Sequence, residues 1–192
     1  MQNISNEIPS ILQNRTKLFE VPWNCYLCSH MAKKTDKTNA ARLLDKAGIA
    51  YNLIPYEVDE KDLAAQHVAD SLGQNIECVF KTLVLHGDRT GYIVCVVPGN
   101  MEVNLKSLAK VSGNKKVEMI AMKDLLAVTG YIRGGCSPIG MKKRFPTYFH
   151  NTVLDQEKIY VSAGVRGLQI EIAPEELVRY VEAAVVDVAE II

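Results

Sequence analysis

The stretch FKTLVLHGDRTGYIVCVVP, residues 80–98, decides the fold of this chain. Two apolar runs rich in valine, isoleucine and leucine flank the segment GDRTG, residues 87–91, whose residue types are typical of a tight turn. This pattern predicts a β-hairpin. Lys81 lies among apolar residues of the first strand, where a lysine destabilises the fold unless it is paired or faces a cleft. Two alternatives follow for Lys81: a solvent-facing strand position, or a cleft lysine that holds an anionic or carbonyl group.

Helices and strands alternate on the N-terminal side of this hairpin. Asp36 or Thr38 caps a predicted helix that stops at Gly48. A strand over residues 50–58 and a short amphipathic helix over residues 63–72 follow.

Helices and strands are also mixed on the C-terminal side of the hairpin. Short helices are predicted over 104–111 and 122–128, and strands over 116–120, 146–151, 158–164 and 167–172. A last helix is predicted from Pro174, with an apolar stripe formed by Leu177, Val178, Val181, Ala184, Val185 and Val188. Because no βαβ unit repeats, the predicted fold class is α/β, with a mixed, largely antiparallel sheet and helices packed against it.

Composition excludes several classes of function. The 192 residues include 22 basic and 22 acidic side chains, so a general nucleic-acid coat is disfavoured while a local basic patch stays open. No apolar run approaches the roughly 20 residues of a membrane span. The five cysteines indicate free thiols in a reducing cytoplasm, and the CxxC of Cys25 and Cys28 lacks a second ligand pair for zinc. The four histidines share no motif, so neither a metal nor a cofactor is predicted.

The first 35 residues have a different character from the rest. They show no sustained helical or strand period, and Met31 begins a stretch that resembles a second start. We expect residues 1–35 to form a poorly ordered extension and residues 36–192 to form one domain.

A second stretch, YIRGGCSPIGMKKRFP at residues 131–146, contains candidate site residues. Gly134 and Gly135 let the backbone approach a ligand and expose N–H groups to a carbonyl oxygen or phosphate, and Ser137-Pro138 stiffens the exit of the loop. A Gly-Gly turn without function is the alternative. The basic run, defined as Lys142, Lys143 and Arg144, suits either a solvated face or a polyanion.

Three ordered motifs, FKTLV, TGYIRGGCSPIGMKKRFP and YVSAGVRGLQIEI, resemble the YbaK/EbsC family of bacterial Cys-tRNA(Pro) deacylases. The same fold occurs as the editing domain of prolyl-tRNA synthetases. The resemblance covers about residues 37–188 and implies a sheet curled around a pocket.

The resemblance also implies roles for individual residues. The catalytic set is Lys81, Gly134, Gly135 and Tyr56, and the substrate-binding set is Thr82, Ser137, Pro138, Ser162, Gly164, Arg166 and the basic run. The substrate's own thiol attacks its ester, so Cys136 is expected to be a packing residue. The implied partner is tRNA(Pro) charged with cysteine, with prolyl-tRNA synthetase left open as a second partner, and with neither membrane nor DNA.

Three positions depart from the family pattern. Leu63 or Ala64 stands where a pocket phenylalanine is found, Val165 where a lysine is common, and Gln169 where an acidic residue is found. These departures leave open cysteine or alanine as the amino acid removed. A non-catalytic RNA- or nucleotide-binding module is the alternative from another class.

Overall fold

The computed structural model describes residues 37–59 and 63–191. The predicted first helix is confirmed as α1 (Asn39–Ala47), which begins where the Thr38 hydroxyl accepts the Ala41 N–H at 3.2 Å. It ends at Gly48, whose φ of +69° is a conformation that glycine adopts without strain. The second helix, α2 (Ala65–Leu72), ends in the same way at Gly73. The CxxC and the predicted N-terminal extension lie outside the described residues.

A five-stranded mixed sheet is built around the predicted hairpin, which is confirmed. The hairpin strands are β2 (Phe80–Gly87) and β3 (Gly91–Pro98), paired in antiparallel register from Phe80–Pro98 to Gly87–Gly91. The other members are β5 (Val117–Met119), β6 (Thr147–His150) and β9 (Ala184–Val186), in the order β5-β2-β3-β6-β9. The β3–β6 and β6–β9 pairs are parallel.

A second, three-stranded antiparallel sheet lies beside the beginning of β2. Its strands are β1 (Tyr51–Pro55), β7 (Ile159–Ser162) and β8 (Leu168–Ile172), in the order β1-β8-β7. A bridge between Val79 and Tyr160 joins β7 to the chain entering β2. A two-stranded ladder pairs β4 (Met101–Val103) with β10 (Ala189–Ile191). The predicted α/β class with a mixed, largely antiparallel sheet is confirmed.

Three further α-helices and the 3₁₀-helices Ile76–Cys78 and Asn151–Asp155 belong to the described fold. The α-helices are α3 (Leu105–Val111), α4 (Leu125–Thr129) and α5 (Pro174–Tyr180). Asn104 caps α3 by accepting the Ser107 N–H at 3.0 Å. A turn of 3₁₀-helix, Met122–Asp124, precedes α4, so the predicted helix over 122–128 is divided into two types.

The prediction of a last helix running to Val188 is wrong. The helix ends at Tyr180, and Glu182, with a φ of +54°, turns the chain towards β9 and β10. The segment that follows is rich in valine, which favours strands, and the edge of β6 offers unpaired backbone groups. Strand pairing therefore overrides the helical spacing of the apolar residues.

The hairpin is central because both faces of β3 are buried. Val94 and Val96 face a core shared with α1, α5 and the three-stranded sheet, where Phe80 and Phe149 lie with ring centroids 6.5 Å apart. Ile93, Cys95 and Val97 face a second core with Leu108 of α3. A third cluster packs α2 against Val79 and Tyr160. Burial of this apolar surface is the main stabilising term.

Candidate active site

A pocket of about 900 Å³ lies between the start of β2, the loop before α2 and the three-stranded sheet. Alternate residues of a strand share one face. Because Val79 bridges Tyr160, the next alternate residues, Lys81 and Ser162, follow on that face, and Ser162 pairs with Gln169 across the β7–β8 ladder. Where α2 does not cover this face, Lys81, Ser162 and Gln169 line the pocket together.

Lys81 lies in the pocket and is half-buried, which favours the cleft alternative over the solvent-facing one. Its Nζ donates to the Gly99 carbonyl oxygen at 3.2 Å. Among residues 37–59 and 63–191, no carboxylate lies within ion-pair distance of it. Burial lowers the pKa of Lys81 from its ordinary value, and the charge of Glu102 acts in the opposite direction. The ammonium therefore has hydrogen atoms available for a ligand.

The two adjacent glycines have different environments. Gly134 lines the pocket with a φ of +78°, in the left-handed region. Gly135 is buried, and a Cβ there would lie 3.3 Å from the backbone of Val165 and Arg166. Its N–H already donates to the Ile132 carbonyl oxygen at 3.0 Å. The expectation that both glycines expose N–H groups is therefore wrong for Gly135, which instead permits close packing of two loops.

Four other predicted binding residues support the loop without being part of the pocket lining: Ser137, Pro138, Gly164 and Arg166. The Ser137 hydroxyl, fully buried, accepts the Ile139 N–H at 3.2 Å. Arg166 Nε donates to the Arg133 carbonyl oxygen at 2.9 Å. Ser162, which does line the pocket, accepts the Gly164 N–H at 3.2 Å. The Arg166 bond joins the glycine loop to the loop between β7 and β8, while the Ser137 and Ser162 bonds each stabilise the turn that follows the serine.

The thiol of Cys136 lines the pocket but lacks an activating environment. Burial raises its pKa to about 12, so the thiol stays protonated in neutral solution. No hydrogen bond to a histidine is formed by Cys136 among the described residues. An unactivated thiol is a poor nucleophile, which agrees with the interpretation of Cys136 as a packing residue.

The remaining predicted residues divide between the pocket and the surface. Tyr56 and Thr82 line the pocket. The basic run is exposed and is not part of the pocket lining. Lys142 Nζ donates to the carbonyl oxygens of Leu126 and Ala127 near the end of α4, both at 3.2 Å, and Arg144 pairs with Glu182 at 2.6 Å.

Four pocket residues have a buried side-chain atom without a partner in the described structure: His67 Nε2, Thr82 Oγ1, Asn100 Oδ1 and Gln169 Oε1. Buried polar atoms in proteins are almost always paired with protein groups or with ordered water, so these four atoms give the pocket a polar lining that can bind water or a polar ligand. The sequence analysis missed Asn100, and His67 was one of the four histidines that share no motif. The sequence does not indicate which side of α2 faces a pocket, so His67 could not be found from it.

Two further observations limit the chemistry of the described residues. Among them, no group of three or more His, Cys, Asp or Glu side chains is arranged to hold a metal ion. No helix within the described ranges is both long and apolar enough to cross a membrane.

The departures from the family pattern lie at or near the pocket. Leu63 and Ala64 both line it, and the Leu63 methyl groups lie about 3.4 Å from where a Gly134 Cβ would stand. Gln169 lines it and is 6% exposed. Val165 is 43% exposed and does not line the pocket.

The fold and the pocket together describe a mixed α/β domain with a binding pocket. The pocket is lined by a lysine, a glycine loop and unpaired polar atoms, which suit a polar ligand. The family model "Aminoacyl-tRNA editing domain" matches residues 60–180. The chain belongs to this aminoacyl-tRNA editing domain family.

Individual relatives agree with this assignment. The chain is 54% identical over 149 residues to the "Putative Cys-tRNA(Pro)/Cys-tRNA(Cys) deacylase EbsC" of Enterococcus faecalis, covering 77% of this chain and 91% of that protein. It is 30% identical over 95 residues to the proline–tRNA ligase of Thermosipho melanesiensis, covering 45% of this chain and 17% of the ligase. A solved structure described as "a putative trans-editing enzyme for prolyl tRNA synthetase" shares the fold, with a TM-score of 0.70 and 21% identity, covering 81% of this chain and 99% of that one.

Proposed function

We propose that this protein is an aminoacyl-tRNA deacylase that acts in trans, removing cysteine mischarged on tRNA(Pro) and also accepting Cys-tRNA(Cys). The observation that carries the proposal is the chemistry of the pocket. It holds a lysine without a carboxylate partner and four unpaired polar atoms, yet its described lining includes only one cysteine, whose thiol is inactive. Membership of the editing family and the similarity to EbsC support the substrate class.

The proposed reaction uses a nucleophile that the substrate brings. The cysteinyl thiol attacks its own ester carbonyl, so that a C–S bond forms and the C–O bond to the ribose breaks. The thiol proton ends on the ribose hydroxyl, and the products are free tRNA and cysteine β-thiolactone, which water then opens. Because thiol and ester belong to one molecule, proximity gives a large rate advantage once the conformation is fixed.

The protein positions the ester and stabilises the negative charge that develops on its carbonyl oxygen. The Lys81 ammonium uses one hydrogen for the Gly99 carbonyl and retains two for the oxygen that gains negative charge in the transition state. Gly134 lets the backbone approach the ester closely, while Tyr56 and Ser162 border the same space. Half-burial of Lys81 strengthens its electrostatic effect, because water screens a half-buried charge less than a fully exposed one.

The tRNA body is proposed to lie over the basic run, which neutralises phosphates without reading sequence. Lys143 has the most freedom in that run, since Lys142 and Arg144 already bond to protein groups. The similarity to part of a proline–tRNA ligase supports tRNA(Pro) as the partner and makes the synthetase a second partner to test by co-purification. Such substrates place the enzyme in the cytoplasm.

Deacylation of Cys-tRNA(Pro), Ala-tRNA(Pro) and Pro-tRNA(Pro), measured side by side, tests the proposal. We expect rapid loss of cysteine and no acceleration for proline, which has no thiol. Faster loss of alanine than of cysteine would instead assign the pocket to alanine editing. Binding of all three tRNAs without any deacylation would identify a non-catalytic RNA-binding module.

A further inference from the structure

Gln169 is a buried polar side chain whose oxygen has no partner in the described structure. Its side chain is 6% exposed, and Oε1 is enclosed without a hydrogen bond. An amide oxygen that is shielded from bulk solvent and has no protein donor costs stability unless a ligand or an ordered water donates to it. Since Gln169 lines the pocket, the missing donor is expected to come from a ligand.

The position of Gln169 brings it close to the reacting ester. Gln169 pairs with Ser162 in the β7–β8 ladder, and Ser162 shares its face with Lys81 through the bridge of Val79 to Tyr160. Neighbouring strands are about 4.8 Å apart, so Gln169 lies about two strand spacings from Lys81. An ester carbonyl held by Lys81 would therefore have its nearest substituents within reach of Gln169.

The cysteinyl ester offers few donors at that distance. The thiol loses its proton during attack, and an amide oxygen would repel the resulting thiolate. The α-ammonium group is attached to the carbon beside the ester carbonyl and presents hydrogen atoms that need acceptors when enclosed. The nearby Lys81 offers it only repulsion, so an acceptor on the other side of the ester is required.

We propose that Gln169 Oε1 accepts a hydrogen bond from the substrate's α-ammonium group, which makes Gln169 the residue that selects esters of free α-amino acids. This inference rests on the proposed deacylase function. A neutral amide suits the task because it binds the ammonium group without also capturing Lys81 in an ion pair. N-acylated esters, such as those of peptidyl-tRNA, keep one uncharged N–H donor and are then expected to bind less tightly.

The experiment compares two substrates and two proteins. The substrates are Cys-tRNA(Pro) and 3-mercaptopropionyl-tRNA(Pro), which retains the thiol and the ribose hydroxyl but lacks the α-amino group. The proteins are the wild type and Gln169→Leu, with Gln74→Leu as a control because Gln74 is exposed and does not line the pocket. Ratios of kcat/KM between the proteins cancel the different intrinsic reactivity of the two esters.

We expect Gln169→Leu to lower kcat/KM for Cys-tRNA(Pro) about 10- to 100-fold, as for loss of a hydrogen bond to a charged group. Its kcat/KM for the desamino ester should stay within about threefold of the wild-type value. An equal fall for both substrates in a folded variant would overturn the inference. If Gln169→Leu fails to fold, Gln169→Met replaces it, since methionine keeps the length of the side chain without the amide oxygen. A fall confined to Cys-tRNA(Pro) then supports the inference, and an equal fall or no change for both substrates contradicts it. Absence of Cys-tRNA(Pro) deacylation by the wild type would instead contradict the proposed function.

Discussion

The two ends of β2 hold polar clusters of opposite character. At the Gly87 end, Asn114 is 8% exposed, and its Oδ1 accepts the N–H groups of Arg89 and Thr90 at 2.9 and 3.0 Å. Its Nδ2 donates to the hydroxyls of Thr90 and Ser112, both at 2.8 Å. At the Phe80 end, Thr82 and Asn100 have buried oxygens with no described partner.

The paired cluster at the Gly87 end stabilises the fold, whereas the unpaired oxygens at the Phe80 end are available to a ligand. A buried amide with all its bonds made stabilises the turn that closes the hairpin. A buried amide with an unpaired oxygen is a cost that a ligand can offset, so the Phe80 end is prepared to bind. The comparison predicts that substitutions at the Gly87 end change stability, and that substitutions at the Phe80 end change activity.

The largest effect is expected at the Phe80 end. Lys81→Ala should lower the deacylation rate for Cys-tRNA(Pro) about 10²- to 10³-fold, because a charge-assisted bond to the developing oxyanion is lost. Circular dichroism should show an intact fold. Lys106→Ala, an exposed lysine of α3, is the matched control and should retain full activity. Near-normal activity of Lys81→Ala would show that Lys81 does not hold the substrate, as the solvent-facing alternative predicts.

A pair of asparagine variants tests the comparison itself. Asn114→Ala should lower the free energy of unfolding by about 2–4 kcal/mol, because the N–H groups of Arg89 and Thr90 lose their acceptor. Urea denaturation measures this loss, and kcat/KM of the folded variant should be unchanged. Asn100→Ala should cost little stability because Oδ1 has no described partner to lose. Equal destabilisation by the two substitutions would remove the proposed distinction.

The basic run is expected to have a smaller and salt-dependent effect. Neutralising Lys142, Lys143 and Arg144 together should raise KM for charged tRNA and flatten its dependence on salt. Lys143→Ala alone is the cleaner variant, since Lys142 also bonds to carbonyls of α4. It should reduce the slope of log KM against log salt by about 1. A triple variant with an unchanged KM at both low and high salt would show that the run is a solvated face.

The smallest effect is expected for Cys136. Cys136→Ala should retain kcat within about threefold, since burial holds the thiol in its protonated form with a pKa of about 12. Quenched time-course assays at neutral pH measure kcat of the variant, and the rate is divided by the folded fraction of the protein. A loss comparable with that of Lys81→Ala would assign a chemical role to this thiol.

The sequence predicted most of the fold because its strongest patterns are local. Two apolar runs around the turn at residues 87–91 predicted the hairpin, and Gly48 predicted the end of α1. The segment after Tyr180 was mispredicted, because its valines have helical spacing and only the free edge of β6 makes them strands.

The candidate site was predicted in part. The motifs pointed to Lys81, Tyr56, Thr82, Gly134 and Ser162, all of which line the pocket. His67 and Asn100 were missed because their exposure to the pocket depends on how α2 and the turn after β3 pack, which no local pattern encodes. The engaged N–H of Gly135 likewise depends on loop geometry and not on residue type.

The central claim is that the substrate, and not the protein, supplies the nucleophile. Its most direct test is a comparison of Cys-tRNA(Pro) with Ser-tRNA(Pro), with the released amino-acid product analysed by mass spectrometry. We predict that the wild type and Cys136→Ala both release cysteine β-thiolactone from Cys-tRNA(Pro), and that Ser-tRNA(Pro), whose hydroxyl is a far weaker nucleophile, is cleaved poorly. Equal cleavage of the two esters, or an acyl-enzyme trapped on the wild type and missing from Cys136→Ala, would contradict the account.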